Sequence, residues 1–600
     1  MKEVGIDVTV IPTSDCHNSE YVAPHFKARE YFSGFTGSAG TLIVSLTDAW
    51  LYTDGRYFIQ AKEELQGTGI TLMRSGQKGV PKLREHLKSI CPAGSKLGFD
   101  PSLFTVSEGM GFLADHPGDC KDIFISESAW PERPRIVFNP VTMLDERYSG
   151  ESLSSKIKRI RDVMNKKGAF ANIVSSLDNI AWILNLRGSD IEYCPLFYSY
   201  LVIREDEIFL YANIGDEDIR AYLGKNGVTV RKYEDFYKEL EQSTIIRTGD
   251  TVLFDSKDCN YRIYTILDDK KCELIDSPTP SNIMKAVKNT IERENIKKAH
   301  ILDAVSIVRF EKWLDTRLGF WIPEDEGGDQ IDETPLNEIS VADKLLKIRS
   351  TADSFIGPSF ETICAYGKNA AIVHYSASNK SNTEIKKGGV LLIDSGGHYL
   401  EGTTDITRTY LLYSEDELKD IPPKLKRDYT LVAIGMLKLL NSTFKYGARG
   451  SALDTFARQP LWNYGLDFDH GTGHGVGYLL NVHEGPNRIS YRAADPSSDA
   501  VFEEGMVTSD EPGIYIEGKY GIRIENLILC VKDKENEFGQ FLRFDPLTMV
   551  PIDLKGIDTA YMSDEDRDNL NNYHRRVLET LSPYLNENEI KYLKHRTEKI

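Results

Sequence analysis

The sequence is poor in the features that mark secreted, disulfide-bonded and membrane proteins. Only eight of its 600 residues are cysteine, and no two of them form a CxxC pair. This usage is typical of reduced thiols in a cytosolic protein rather than of a disulfide framework. No apolar run approaches the ~18 residues of a membrane-spanning helix. The opening stretch MKEVGIDVTVIP carries Glu3 and Asp7, where a secretory signal would be apolar.

The sequence also lacks an excess of positive charge. Acidic residues outnumber basic ones by 91 to 72, which gives a formal net charge of −19. Large basic surfaces that would attract nucleic acid or acidic lipid are therefore not expected. We expect a cytoplasmic protein with no nucleic-acid partner and no membrane partner. Its length allows three or four domains at roughly 150 residues per domain.

Alternating strand-like and helix-like segments predict an α/β architecture for the first half of the chain. The apolar runs VTVIP and TLIVSL alternate with the helix-like QAKEEL and VPKLREHLKSI. The stretch WPERPRIVFNP predicts a linker, because proline interrupts both helices and strand ladders. A second α/β block then begins with a capped helix in SGESLSSKIKRIRDVMNKKG. YFSGFTGSAGT and IAWILNLRGSDI both place an apolar stretch before a glycine turn, which suggests the hypothesis of a duplicated domain.

The second half of the chain has a different pattern. A long helix is predicted over about 282–315, and β-rich segments separated by glycine turns begin near Phe360. One helix stands out among them, with leucine and isoleucine at three-residue spacing from Leu431 to Leu440. The predicted division is α/β domain I over 1–140, α/β domain II over 141–295, a third domain over 296–540 and an extension over 541–600.

Four acidic residues of the third region lie in strand or turn contexts. Asp394 ends the apolar run VLLI, and Asp405 follows eleven residues later, just before the strand-like ITRTYLLY. The glycines between them favour a hairpin that brings both carboxylates together. Glu511 lies in the turn sequence SDEPG, and Glu525 lies within the apolar IRIENLIL. Buried carboxylates repel one another, whereas two divalent cations would balance their four charges.

The stretch HGTGHGVG places His470 and His474 four residues apart. On a helix this spacing would predict a zinc site of the HExxH kind. The four interspersed glycines make a regular helix unfavourable, so the two imidazoles need not face the same way. One of them can bind a metal while the other lines a pocket.

Taken singly, each of these residues has an ordinary structural interpretation. Asp394 or Glu525 alone is more typical of an ion-paired or turn residue than of a metal ligand, and a lone His374 is more typical of a core or surface group. The ordered set favours a metal site. Carboxylates with one imidazole are mostly hard oxygen donors, which suit manganese, cobalt or zinc.

The ordered set resembles the metal-binding signature of the pita-bread metallopeptidases of family M24, which include methionine aminopeptidase, prolidase and Xaa-Pro aminopeptidase. Their ligands follow the order Asp, Asp, His, Glu, Glu, and the matching residues here are Asp394, Asp405, His474, Glu511 and Glu525. Over the whole chain the sequence is most similar to the cytosolic three-domain Xaa-Pro aminopeptidases. The stretches that carry this likeness include YTDGRYFIQA, KAVKN, GTTDITRTY, HGTGHGVGYLLNVHEGP and FDPLTMVPID.

The resemblance implies an architecture and a cofactor. Two small creatinase-N-like α/β domains would precede a pita-bread catalytic domain, and the C-terminal extension would make the contacts of a homodimer. Two divalent metal ions per subunit are implied, manganese in most of the family, with cobalt or zinc as alternatives. Asp394 would bind one metal and His474 with Glu511 the other, while Asp405 and Glu525 would bridge them.

The resemblance also implies a reaction. A hydroxide between the metals would attack the carbonyl before proline, and Glu511 would act as general base and then as general acid. The product would be the free first residue of a peptide whose second residue is proline.

Five further residues acquire roles only through the resemblance. His374 and His483 match histidines that contact the substrate and stabilise the tetrahedral intermediate. His470 matches a histidine on the proline side of the pocket. Arg523 would orient the metal-bound network, and Arg56, in TDGR, would reach the substrate.

Two alternative functions remain open at this point. A prolidase-type dipeptidase would cut Xaa-Pro dipeptides, but such enzymes usually have one N-terminal domain rather than two. A peptidase-like binding protein without catalysis would have lost the metal ligands, and here all five are present. The sequence departs from the family pattern by extra residues around 321–337.

Overall fold

The computed structural model of the chain describes residues 1–116, 120–242, 245–322, 334–492 and 499–600. These residues divide into two units, Met1–Asn282 and Ile283–Ile600. The extra residues around 321–337 fall mostly outside the described ranges. Among the described helices, none combines the length and the apolar character that crossing a bilayer requires.

The first half of unit 1 is a six-stranded mixed sheet with helices between its strands. The predicted strands VTVIP and TLIVSL form β1 and β2, and the predicted helices around QAKEEL and LREHLKSI form α2 and α3. The elements are β1 (Val8–Pro12), α1 (Ala28–Ser33), β2 (Thr41–Ser45), β3 (Ala49–Thr53), α2 (Phe58–Glu64), β4 (Ile70–Arg74), α3 (Leu83–Ile90), β5 (Leu97–Phe99), α4 (Val106–Asp115) and β6 (Cys120–Asp122).

The second half of unit 1 is another six-stranded sheet. The first long helix predicted for this half is α6. It begins after the N-cap Ser152 and ends before the C-cap Gly168, whose φ of 70° suits glycine. The elements are β7 (Thr142–Met143), α5 (Glu146–Ser149), α6 (Leu153–Lys167), β8 (Ala171–Val174), α7 (Leu177–Leu184), β9 (Leu186–Arg187), β10 (Tyr200–Arg204), β11 (Ile208–Tyr211), α8 (Glu217–Lys225), β12 (Val228–Arg231), α9 (Phe236–Glu241), β13 (Thr251–Phe254), α10 (Tyr261–Asp269) and β14 (Glu273–Asp276).

The two sheets of unit 1 have the same topology. Their strand orders are β4-β3-β2-β1-β5-β6 and β12-β11-β10-β8-β13-β14. In each sheet the first strand in sequence pairs antiparallel with its neighbour on one side, and that neighbour pairs antiparallel with the next strand. The other three pairings of the sheet are parallel. This match of order and direction, strand for strand, supports the hypothesis of a duplicated domain.

Buried polar contacts join the two sheets into one unit. The imidazole of His17, from the first half, lies 2.8 Å from the carbonyl oxygen of Ser175 and 2.7 Å from the hydroxyl of Tyr233. The Asn260 side chain, from the second half, donates to the carbonyl oxygen of Cys16 at 2.7 Å. The side chains of His17 and Asn260 are buried, so these hydrogen bonds help to fix the orientation of the two halves.

Unit 2 combines long helices with antiparallel sheets. The larger sheets have the orders β16-β17-β20 and β21-β28-β27-β24. The elements are α11 (Pro280–Ala286), α12 (Thr290–Arg317), α13 (Glu338–Arg349), β15 (Phe355–Pro358), β16 (Ile363–Tyr366), β17 (Val390–Ser395), β18 (Gly397–Tyr399), β19 (Gly402–Thr403), β20 (Ile406–Leu411), α14 (Pro423–Leu440), β21 (Thr443–Lys445), α15 (Gly450–Trp462), β22 (Gly473–His474), β23 (Arg488–Ile489), β24 (Val507–Asp510), β25 (Gly513–Ile516), β26 (Tyr520–Arg523), β27 (Asn526–Asn536), β28 (Gly539–Pro546), α16 (Asp564–Leu581) and α17 (Glu587–Arg596).

The single helix predicted over 282–315 is interrupted at the KAVKN stretch. Helix α11 ends at Ala286 and α12 begins at Thr290. Asn289 and Glu292 form a reciprocal capping box, in which each side chain accepts the other residue's backbone N–H. The backbone N–H of Lys288, just before this cap, donates to the carbonyl oxygen of Gly505 at 3.0 Å. The prediction of one continuous helix was wrong here because the capping box at Asn289 starts a new helix inside the run.

The C-terminal extension packs onto its own chain. The buried guanidinium of Arg408, on β20, donates to the carbonyl oxygens of Val550 at 2.8 Å and Pro551 at 2.9 Å. It also donates to the hydroxyl of Tyr573 on α16 at 3.1 Å and to the carbonyl oxygen of Glu525 at 2.5 Å. The last 60 residues thus complete the hydrogen bonding of a strand in the core of unit 2.

The helix predicted from its leucine and isoleucine spacing is α14, and its apolar residues are buried. It packs closely against α15 because Gly435 has no side chain. A Cβ atom at Gly435 would lie 2.4 Å from the carbonyl oxygen of Ala457, which is far inside van der Waals contact.

We predict that Gly435→Ala destabilises the protein by about 1–3 kcal/mol, because the added methyl group forces α14 and α15 apart. The matched control is Gly224→Ala in α8, where a Cβ would meet no atom within 4 Å. That change should be neutral or stabilising by up to about 1 kcal/mol. Differential scanning calorimetry measures both, and an unchanged melting temperature for Gly435→Ala would contradict the packing argument.

Candidate metal centre

Two antiparallel strands carry the first two acidic residues of the predicted set. Strand β17 pairs with β20 so that Asp394 lies opposite Thr407, and Asp405 immediately precedes β20. The predicted hairpin is therefore present, with the short strands β18 and β19 in its connection. Asp405 lies close enough to Asp394 for its charge to raise the pKa of that carboxyl.

A second sheet supplies the two glutamates. Glu511 follows β24, Glu525 precedes β27, and these strands pair so that Asp510 lies opposite Asn526. The backbone N–H of Glu511 donates to the carbonyl oxygen of Thr472 at 2.8 Å. That of Glu525 donates to the carbonyl oxygen of Thr407 at 3.1 Å. These backbone bonds attach the glutamates to the segments that carry the histidine and the first two acids.

The side chains of the predicted ligand set meet in one place. Ligand atoms of Asp405, His474 and Glu525 all lie within 4.8 Å of one another. His474 Nε2 is 3.4 Å from a carboxylate oxygen of Asp405 and 3.6 Å from one of Glu511. Asp394 joins the cluster through its electrostatic interaction with Asp405.

Burial of so many acids perturbs their titration. Burial raises the pKa of Asp394 and Glu525, and neighbouring carboxylates raise both further. Burial, opposed by His474 and Arg523, raises the pKa of Glu511 to about 7. Burial lowers the pKa of His474, but the charges of Asp405 and Glu511 outweigh it and raise the value to about 9.

The donor set fits divalent cations. Without cations the cluster can relieve its repulsion only by holding protons, as the raised pKa values indicate. Two divalent cations would balance four carboxylates and would accept the imidazole as a neutral ligand. The geometry and the electrostatics of these five residues therefore agree with a metal centre.

Arg523 lies beside this centre, as the resemblance implies. Its buried guanidinium donates to Asp394 at 2.6 Å and to the hydroxyl of Thr407 at 3.1 Å. It also donates to the hydroxyl of Tyr515 at 2.8 Å, and that hydroxyl lies 2.8 Å from Nε2 of His470. Sequence reasoning missed Tyr515, although it lies four residues after Glu511 in EPGIY.

The structure brings His483 to the metal centre and gives His470 a different position. The rings of His474 and His483 meet edge to face with centroids 4.2 Å apart. His470 contacts Tyr515, with its Nε2 2.8 Å from the tyrosine hydroxyl and the two rings edge to face. The two histidines of HGTGH thus have different environments, as the intervening glycines suggested.

Arg458, which the sequence did not single out, holds the backbone before the histidine-rich loop. From α15 it donates to Asp454 at 2.7 Å, to the carbonyl oxygen of Phe468 at 2.7 Å and to that of His470 at 2.6 Å. Thr472 donates to the same Asp454 carboxylate. One buried ion pair on a helix therefore fixes the path of the chain toward His474.

His374 lies in a segment that a buried glutamate organises. It follows the 3-10 helix Gly367–Ala371, which packs against β26. Glu338, at the start of α13, accepts hydrogen bonds from the Tyr366 N–H at 2.7 Å, the Tyr375 hydroxyl at 2.8 Å and the Thr383 N–H at 2.8 Å. No local sequence pattern marks Glu338 as buried, so its role was not predicted.

Arg56 belongs to unit 1, where it forms an ion pair. Its guanidinium donates twice to Asp54, at 2.8 Å in each case. Both residues line a cavity of about 780 Å³, together with Glu20, Ser38 and Gln77. The predicted contact of Arg56 with substrate stays a prediction.

Comparison with known sequence families identifies four segments. Residues 294–532 match the metallopeptidase family M24, and residues 540–600 match the C-terminal region of peptidase M24. Residues 1–123 and 132–292 each match a creatinase/prolidase N-terminal domain. The predicted fold class, two creatinase-type α/β domains followed by an M24 domain, is confirmed.

Relatives match the chain over nearly its full length. A probable Xaa-Pro aminopeptidase P of Coprinopsis cinerea is 37% identical over 100% of this chain and 96% of its own. Aminopeptidase P1 of Arabidopsis thaliana is 35% identical over 99% and 97%. The crystal structure of X-prolyl aminopeptidase from Caenorhabditis elegans, described as a cytosolic enzyme with a di-nuclear active site, aligns with a TM-score of 0.90. That structure is 33% identical and covers 99% of this chain and 95% of its own.

The family matches cover nearly the whole chain, and the clustered ligand set lies in the segment that matches family M24. The relatives exceed 30% identity over at least 96% of their own lengths, and the M24 segment contains all five predicted ligands. The chain therefore belongs to metallopeptidase family M24, in its Xaa-Pro aminopeptidase P group.

Proposed function

We propose that this chain is an Xaa-Pro aminopeptidase with two divalent metal ions, which releases the first residue of peptides whose second residue is proline. The observation that carries the proposal is the convergence of two aspartates, two glutamates and one histidine in a buried cluster. The full-length relatives named as aminopeptidases P and the di-nuclear site described for the nematode enzyme support it.

The proposed substrate explains the need for a dedicated enzyme. The Xaa-Pro bond is a tertiary amide without an N–H, and the proline ring fixes its own φ. Peptidases that grip that N–H cannot use such a bond. A site that recognises the ring and the free amino terminus can use it.

The proposed metal ligands divide as follows. Asp394 would hold one cation, His474 and Glu511 would hold the other, and Asp405 and Glu525 would be shared by both. Such ions would supply polarisation of the scissile carbonyl and activation of the attacking water. Manganese is the proposed physiological metal, and cobalt or zinc would suit the same oxygen-rich set.

The chain's own groups then handle protons and orientation. Glu511 accepts the proton of the attacking water and returns it to the leaving proline nitrogen. Arg523 orients the Asp394 carboxylate through its 2.6 Å hydrogen bond, and its positive charge opposes the rise in the pKa of that carboxyl.

Histidines provide the proposed contacts with the peptide. His483 lies against the ligand His474, so an N–H on its ring can reach charge that develops on the carbonyl oxygen. His374 contributes to the same stabilisation, and His470, fixed by Tyr515, lines the proline side. For Arg56, the contact with the peptide that the resemblance implies stays a prediction.

We further propose a cytoplasmic homodimer. The nematode enzyme is described as cytosolic, which supports the location. The dimer rests on the resemblance of residues 541–600 to the extension of the family. Sedimentation equilibrium and subcellular fractionation test the two statements separately.

We predict manganese-dependent release of the first residue from an Xaa-Pro-Xaa tripeptide, with little cleavage of an Xaa-Pro dipeptide. Mass spectrometry on protein stripped of metal and then reconstituted measures both reactions. Preferential cleavage of the dipeptide would indicate a prolidase. If the folded, metal-loaded protein cuts neither peptide, the enzymatic proposal is wrong and a binding role replaces it.

We predict that Asp405→Asn lowers kcat/KM for the tripeptide by at least about a hundredfold, because it removes a bridging carboxylate. The matched control is Asp469→Asn, whose side chain is 69% exposed. That variant should retain normal metal content and activity. Equal activities of the two variants would rule out Asp405 as a metal ligand.

We predict that metal binding releases protons near neutral pH. His474, with a pKa of about 9, and Glu511, with a pKa of about 7, hold protons in the metal-free protein that a cation must displace. The release should amount to about one proton or more per chain at pH 7 and should fade above pH 9.

Titration calorimetry with Mn²⁺ in two buffers of different ionisation enthalpy measures this release. His474→Ala should release fewer protons, whereas Asp469→Asn should match the unaltered protein. A binding enthalpy that does not depend on the buffer would contradict the assignment of His474 as a protonated ligand.

A further inference from the structure

The KAVKN stretch contains two lysines with almost no solvent exposure. Lys285 and Lys288 are 3% and 2% exposed, and neither belongs to the proposed metal-binding set. A buried ammonium is costly unless an opposite charge compensates it. The helix break between α11 and α12 brings both lysines to the same buried place.

Their shared partner is Glu484, the residue after His483. Its carboxylate, 4% exposed, lies 3.3 Å from Nζ of Lys285 and 3.8 Å from Nζ of Lys288. Burial lowers the pKa of Lys288, whereas the charges of Glu484 and Glu292 oppose that shift. The ammonium of Lys288 also donates to the carbonyl oxygen of Val476 at 2.5 Å.

These contacts close a loop that begins at one histidine and ends at another. The backbone N–H of Glu484 donates to the carbonyl oxygen of Gly475 at 2.8 Å, which joins the two ends of the segment 475–484. His474 and His483 flank this junction, with their rings 4.2 Å apart. The ammonium of Lys288 therefore fixes the start of the loop at Val476, and the backbone N–H of Glu484 fixes its end at Gly475.

The glycines of HGTGHGVG make room for this arrangement. A Cβ at Gly475 would lie 2.0 Å from the carbonyl oxygen of Glu484, and a Cβ at Gly477 would lie 2.5 Å from its carboxylate. Neither position tolerates a side chain without displacing Glu484. The alternating glycines after His474 thus serve the loop closure.

We propose that Lys285, Lys288 and Glu484 are positioning residues that set His483 against the metal ligand His474. The proposal rests on the proposed function, in which His483 stabilises charge on the reacting carbonyl. A buried ion cluster is seldom more stable than apolar packing of the same volume, but its charges specify one arrangement. That arrangement fixes the ring of His483 at a set distance from the metal centre.

The first test is the variant Glu484→Gln, which keeps the shape and removes the charge. We expect kcat to fall at least tenfold, while KM changes less than threefold and the metal content per chain stays normal. In a His483→Ala background, the same change should cause no further loss of kcat, because the cluster acts through His483. An unchanged kcat, or independent losses that multiply, would overturn the proposal.

The control is Glu589→Gln, which removes the charge of another buried carboxylate of unit 2, whose arginine partner is 41% exposed. Glu589 is 8% exposed and lies 2.9 Å from Arg309. This variant should lower the melting temperature without changing kcat. An equal loss of kcat in both variants would show that Glu484 contributes only general stability.

A second readout does not depend on activity. Hydrogen–deuterium exchange of the metal-free protein should show faster exchange in 475–484 for Glu484→Gln and for Lys288→Met, with little change in α16 or α17. Unchanged exchange in that segment would refute the positioning role of Lys285, Lys288 and Glu484, whichever peptides the enzyme cleaves. If the unaltered protein cleaves no Xaa-Pro peptide while the exchange effect is present, the proposed function is wrong. The positioning role of the three charged residues in the loop would still be supported.

Discussion

The structure of unit 2 depends on the repulsion among carboxylates that the fold forces together. Two strands of one sheet and two strands of another deliver them to the same buried volume, which holds one imidazole as well. No arrangement of backbone hydrogen bonds removes this repulsion. Bound protons reduce this repulsion in the metal-free protein, and cations would reduce it in the metal-loaded protein. The stability of this region is therefore linked to its chemistry.

Around this cluster, each segment that carries a functional residue is held by a buried charge from outside the cluster. Glu338 at the start of α13 holds the segment before and after His374. Arg458 on α15 holds the approach to His474, and the lysines of KAVKN hold the loop that follows it. Charged side chains suit this task because they form several hydrogen bonds in fixed directions, which apolar contacts do not. The centre therefore has an outer layer of ion pairs and hydrogen bonds.

Sequence reasoning predicted the fold class, and it singled out five residues that the structure brings close together, because both leave local patterns. Periodicity gave α14, and a serine start with a glycine end gave α6. The ligand order was visible because each ligand lies beside a strand or a glycine turn. The helix break before Asn289 was missed because a capping box inside a long run of helix-forming residues leaves the run continuous in sequence.

Other features leave no local signal at all. The same topology in both halves of unit 1 is carried by strand order and direction, which unrelated side chains can satisfy. Tyr515 acquires its importance only when β25 brings its hydroxyl between His470 and Arg523. Glu338 and Arg458 resemble surface residues until tertiary packing surrounds them. Contacts between residues distant in sequence cannot be inferred from spacing in a single chain.

The hydrogen bonds of Arg408 have a consequence for the order of events during synthesis. This guanidinium fixes the backbone of Glu525, yet it needs acceptors at Val550, Pro551 and Tyr573. A nascent chain that has exposed every metal ligand still lacks those acceptors. The full hydrogen bonding of this guanidinium is therefore completed only after residues 550–573 have been synthesised and have docked, late in the translation of the chain.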